Sequence, residues 1–87
     1  MKQLEKGMFA RSLAGHDKGK LYIIIEADEE FVSVSDGRLR PLEKLKRKRR
    51  RHVQPGYEIS GVLAARMREG LPLRNEDIRK AIQVKEV

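Results

Sequence analysis

The segment Leu21 to Ala27, LYIIIEA, limits what this chain can fold into more than any other. It is rich in β-branched and aromatic residues, which fit a pleated surface. Alternation places Leu21, Ile23 and Ile25 on one face, and Tyr22, Ile24 and Glu26 on the other. A strand with one wet face would not carry Tyr22 and Ile24 on it. Both faces need cover, in a chain of only 87 residues. The expectation is that the first set fills the interior of a small barrel and that C-terminal helices cover part of the second.

The flanking segments supply the rest of the sheet. Met8 to Leu13 reads as a short half-buried strand. The loop 15–19 follows, with a glycine at each end suited to positive φ. Phe31 to Ser35 alternates with period two. Asp36-Gly37 is a hairpin turn of type I′ preference, and Arg38 to Leu42 returns as a fourth strand, ended or placed on an edge by Pro41. Closely spaced strands joined by short turns give a mainly β fold, a small antiparallel barrel or sandwich. The period then changes. Ile59, Val62, Leu63 and Met67 fall at helical spacing, Gly70 is a C′ residue, and Pro72 blocks continuation. Asn75 reads as an N-cap with Glu76 and Asp77 in the first turn, and Ile78, Ala81 and Ile82 form the apolar stripe. Two short helices of this kind are unstable alone and must pack on the sheet.

Charge is distributed very unevenly. The net charge is +7. Residues 40–51, RPLEKLKRKRRR, hold eight basic residues and one acid, so they carry +7 by themselves. The remaining 75 residues hold twelve basic and twelve acidic side chains. Six consecutive cations, Lys46 to Arg51, repel one another, and a polyanion would relieve that repulsion and release counterions. A solvated linker and an address signal are the other readings of the tract; a membrane-surface patch lacks an adjacent apolar anchor.

Several functions are disfavoured. Cysteine is absent, which removes disulfides, thiolate zinc sites and cysteine nucleophiles. The two histidines, His16 and His52, leave a tetrahedral metal site short of ligands. No P-loop, Rossmann fingerprint, HExxH or EF-hand pattern occurs. The longest apolar run, Leu21 to Ile25, is far below the roughly 20 residues of a membrane helix. The expectation is a soluble cytoplasmic protein that is not an enzyme, with no cofactor, no small-molecule substrate and no membrane partner.

Ser12-Leu13-Ala14-Gly15-His16-Asp17-Lys18-Gly19-Lys20, followed by Val34-Ser35-Asp36-Gly37-Arg38-Leu39-Arg40, resembles the KOW motif. Leu42-Glu43-Lys44, with the basic run closing on His52, extends the likeness. So does Asn75 to Ala81, similar to the C-terminal helix of small bacterial KOW-domain proteins related to the eukaryotic and archaeal large-subunit ribosomal protein fourteen. His16 stands where that pattern usually has Arg, which weakens a direct phosphate contact by residue 16. Leu45 stands where it often has Pro. The resemblance implies an SH3-like barrel of KOW type over 1–53, with the basic tract 44–52, and a helical pair over 54–87. It also implies binding to RNA of ribosomal type and association with the large ribosomal subunit.

The candidate contacts are Arg11, Gly15, His16, Lys18, Gly19 and Lys20 at the loop, then Arg38, Arg40, Lys44, Lys46, Arg47, Lys48, Arg49, Arg50 and Arg51. Gly15 and Gly19 would bring backbone N–H groups close to a phosphate, or merely serve a tight turn in which Asp17 neutralises a lysine. Arg38 and Arg40 are either phosphate contacts or arginines balanced by Asp36 or Glu30. Only four residues are aromatic. Phe9 and Phe31 read as core and Tyr57 as the one stacking residue, so recognition by shape and backbone is expected over single-strand reading. A protein-interaction adaptor of the translation or transcription machinery is the alternative, favoured if Met67, Leu71 and Leu73 form one exposed patch. Duplex DNA binding is a third, less suited to a barrel with no recognition helix.

Overall fold

A computed structural model describes residues 3–86. The chain runs β1 Met8–Ser12, β2 Leu21–Ala27, β3 Phe31–Ser35, β4 Lys46–Arg49, a single 3-10 turn Arg50–His52, β5 Val53–Ile59, α1 Gly61–Arg68 and α2 Asn75–Glu86. The five strands form one sheet in the order β4-β3-β2-β1-β5, with every pairing antiparallel. β4 and β5 are the two edges, yet only three residues join them. Three residues reach about 10 Å at full extension, so the sheet coils until its edges approach at this end. The connecting turn carries on both neighbouring pairs: the Leu13 N–H donates to the His52 carbonyl (2.8 Å) beside β1–β5, and the Arg50 N–H to the Glu30 carbonyl (2.9 Å) beside β3–β4.

Both faces of β2 are buried, for the reason its composition gave, but the two coverings are the reverse of those expected. Tyr22 and Ile24 lie on the concave side with Met8, Ala10, Val32, Val34 and Val53. Leu21 and Ile23 lie on the convex side with Phe9, under Leu63, Leu73, Ile78 and Ala81 of the helical layer. Ile23 has no exposed surface. Truncating a side chain so buried costs about 2–5 kcal/mol. Alternation also breaks once. Ile24 pairs with Val34 but Glu26 pairs with Ser33, so a bulge at Ile25 turns Glu26 to the face opposite Ile24. Strict alternation had put the two together.

Two of the expected strands change. Arg38 to Leu42 is a loop, not a fourth strand. The Asp36 carboxylate accepts from the N–H groups of Arg38 (2.8 Å) and Arg40 (2.9 Å), and the Ser35 hydroxyl donates to the Arg40 carbonyl (2.7 Å). These local bonds outcompete a ladder, and Pro41 offers no N–H. Asp36-Gly37 therefore begins this loop rather than closing a two-residue hairpin. The fourth strand is the basic run itself. Gln54 to Ile59, expected to belong with the helices, pairs with β1. The boundary drawn after residue 53 thus falls inside β5, and Ile59 is a strand residue rather than the start of α1.

The helices end as expected and begin differently. Gly70 has φ +73°, and the Leu71 N–H donates back to the Arg66 carbonyl (2.9 Å), a Schellman closure. At the start of α2 the Asn75 side chain does not cap its own helix. It accepts from the Leu42 N–H (2.8 Å) and donates to Glu43 (2.9 Å), tying the 36–43 loop to the helix. Asp77 performs the capping, accepting from the Arg74 N–H (3.0 Å). Gly37 sits at φ +73° against α2, where a Cβ would meet the Asn75 carbonyl at 2.6 Å, so this close approach needs glycine.

Candidate nucleic-acid interface

The basic tract divides because it is a strand. Successive side chains of β4 point to opposite faces. Lys46 and Lys48 share the concave side with their partners Val34 and Val32. Burying ammonium groups there requires an acid, and the 15–19 loop supplies Asp17. Its carboxylate lies 3.1 Å from both Lys46 Nζ and Lys48 Nζ. It also accepts from the hydroxyls of Tyr22 (2.6 Å) and Ser12 (2.9 Å). Lys48 Nζ adds the Ala14 carbonyl at 3.4 Å. Burial pushes the Asp17 carboxyl up, but the bonds from Tyr22, Lys46, Ser12 and Lys48 outweigh it and hold the group well below the carboxylate range. Burial, then the bond to anionic Asp17, raises the Tyr22 hydroxyl. The Lys48 side chain retains only 8% of its exposure. Lys48 is thus tied inside the fold, and Lys46, whose side chain is 29% exposed, shares the same acid.

Arg47 and Arg49 face out. Their guanidinium carbons lie 3.9 and 4.9 Å from the centre of the Phe31 ring, a cation–π arrangement that orders both side chains on one aromatic. Arg49 also pairs with Glu30 at 2.9 Å. Past the strand, Arg50 donates to the Asp28 carbonyl (2.9 Å), and Arg51 is exposed. Phe31 is half-buried on this outer face rather than in either apolar cluster. Phe9 does belong to the core. Tyr57 is 41% exposed on β5, with φ +55°.

The remaining candidates lie on the loops between β1 and β2 and between β3 and β4. Gly15 and Gly19 adopt φ +87° and +91°, as the turn demands. Three amides of the segment are committed within it: Lys18 N–H donates to the Gly15 carbonyl, Gly19 N–H to the Ser12 carbonyl and Lys20 N–H to the Asp17 carbonyl. Lys18 and His16 are exposed. Arg11 bonds the Gly19 carbonyl (2.7 Å) and lies 3.5 Å from Glu86. Lys20 pairs with buried Asp36 at 2.5 Å. Burial raises the Asp36 carboxyl, but the Lys20 bond and the amides of Arg38 and Arg40 bring it below its ordinary value. On the 36–45 connection between β3 and β4, Arg38 and Lys44 are exposed and Arg40 is half-buried.

The fold therefore gathers Arg47, Arg49, Arg50 and Arg51 at the β4 edge, and sets Lys18, Arg38, Arg40 and Lys44 on loops. Leu73 is buried and Met67 packs against the helical cluster, so the exposed patch that would favour an adaptor does not form. Among the described residues no three His, Asp or Glu side chains come together as a metal-binding group. No helix among them is long and apolar enough to cross a membrane. No protein-family model matches this chain, and no curated protein matches it.

Proposed function

We propose that this protein is a non-catalytic RNA-binding protein of the ribosome or its associated machinery. In this reading the coiled sheet is an SH3-like barrel of KOW type, and it grips RNA phosphates with the outer face of β4. The observation that carries it is the pairing pattern of the tract. A strand that turns two lysines inward onto one acid still presents Arg47 and Arg49 outward, with Arg51 exposed in the turn that follows, and among the described residues only Arg49 of these three has an acidic partner. Arg guanidinium groups clamp phosphate in a bidentate manner, and such contacts position the RNA without reading its sequence. Lys18, Arg38 and Lys44 extend the positive surface for a structured RNA, recognised by shape and backbone.

The test is crosslinking of the tagged protein to RNA in its own cells, with sequencing of the recovered fragments. The expected result is recovery concentrated at one or two sites of large-subunit ribosomal RNA. Fragments spread over many transcripts, or no enrichment over an untagged control, would overturn the ribosomal reading.

A further inference from the structure

The strand register places Glu26, Ser33 and Arg47 in one row across β2, β3 and β4. The outer two are two strand spacings apart, roughly 10 Å. Among the described residues neither a hydrogen bond nor a salt bridge joins their side chains. The space between is a cavity of about 380 Å³ lined by Glu26, Ala27, Asp28, Phe31, Ser33 and Arg47. That volume is in the range of small-ligand sites, about 300–1,000 Å³. One wall is the Arg47 guanidinium, already held 3.9 Å from the Phe31 ring centre. Exposed Glu26, brought to this face by the bulge at Ile25, lines the same cavity.

Phosphate binding alone gives no reason for a carboxylate in this position, since it repels the backbone the arginines attract. A base edge does. From these placements we infer that the cavity between Arg47 and Glu26 takes one unpaired guanine of the bound RNA. The base stacks on the outer plane of Arg47, which Phe31 holds from behind. A guanidinium plane is a recurrent platform for a splayed-out base. The Glu26 carboxylate, an acceptor with two oxygens, receives the adjacent N1–H and N2–H donors of the guanine Watson–Crick edge. Adenine, cytosine and uracil each offer only one donor on that edge. Asp28 also lines the cavity, and its Oδ1 accepts from the N–H groups of Phe31 (2.7 Å) and Glu30 (2.9 Å). Phosphates flanking the guanine fall toward Arg49 and Arg51. This inference rests on the RNA-binding reading and adds a base preference to it.

Four hairpin RNAs test it, with one common stem and a uridine loop whose central nucleotide is G, A, C or U. Their affinities for the full chain are measured by fluorescence anisotropy at one salt concentration. The guanine hairpin should bind about tenfold tighter than the other three, the lower end of what a bidentate pair discriminates. Glu26→Gln should abolish that ratio while leaving the other three hairpins as tight or slightly tighter, because one repelling charge is gone. A merely structural role for Glu26 would change all four alike. Equal binding of the four hairpins, or a guanine preference that survives Glu26→Gln, overturns the guanine site and leaves phosphate binding standing. No binding of any hairpin at low salt overturns the RNA reading and the site with it.

Discussion

Lys46 and Lys48 differ from Arg47 and Arg49 in what surrounds them, although the four are consecutive. The lysines lie against Val34 and Val32 and end on Asp17. The arginines lie on Phe31 in solvent. Net charge treats them as equivalent, but the pleat separates a pair tied to Asp17 from a pair that faces solvent, the one proposed to meet phosphate. A charge run is thus two surfaces once it is a strand, and substitutions one residue apart should give opposite phenotypes.

The sharpest break in that comparison is at Asp17. Asp17→Asn leaves two partly buried ammonium groups without their counter-charge. Breaking a buried pair from one side costs about 3–5 kcal/mol, and some exposure of Lys46 reduces this, so a loss of about 2–4 kcal/mol is expected in urea unfolding. A change under about 0.5 kcal/mol would show that the inward lysines need no acid. Next in size is the outward pair with its neighbour. Replacing Arg47, Arg49 and Arg51 by Gln should weaken RNA binding at least tenfold at moderate salt, with unfolding free energy changed by less than about 1 kcal/mol, since these side chains are exposed. Loss of stability comparable to that of Asp17→Asn would erase the distinction between the faces.

Acid sharpens it further. The carboxyls of Asp17, Asp36 and Asp77 are all held below their ordinary values. For Asp77 the Arg74 bond is the largest cause and outweighs its burial. The unfolded chain, with carboxyls near pH 4, takes up protons first as the pH falls. The stability these groups contribute is therefore fully present above about pH 4 and lost below it. Asp17→Asn should flatten this acid limb in chemical unfolding monitored from pH 7 down to 2. A parallel curve displaced by a constant amount would contradict the role given to Asp17. The smallest effect is Lys48→Met, which trades a paired cation for an apolar chain of similar length beside Val32. Its RNA affinity should fall less than threefold, with stability within about 1.5 kcal/mol of the parent.

What the sequence disclosed follows from how local each cause is. The β2 strand, the glycine-bounded loop, the Gly70 stop and the α2 stripe rest on neighbouring residues, and each is where its residues indicate. The 36–43 loop was missed because Asp36 and Ser35 capture backbone groups that an alternating pattern assigns to a ladder. β4 was missed as a strand because six cations carry no hydrophobic alternation; its inward side is made acceptable by Asp17, 29 and 31 residues away in sequence. Strict alternation assigns Glu26 to the wrong face because a bulge changes parity without changing composition. Phe31 reads as core from its residue type, and only the position of β4 shows it as a platform for arginines. The candidate list thus treats as one group cations that the strand divides between Asp17 and the solvent face, and the sequence carries no signal for the neighbours Glu26 and Phe31 that the proposed site uses.

The most direct test of the central claim is the salt dependence of binding to a structured RNA, measured for the parent chain and for the Arg47, Arg49 and Arg51 to Gln variant. If about five cations engage phosphates, log K should fall against log salt with a slope near −3.5 to −4.5. The variant should lose about 2–3 units of that slope. A slope near zero in the parent, or an unchanged slope in the variant, would contradict a phosphate-binding face on β4.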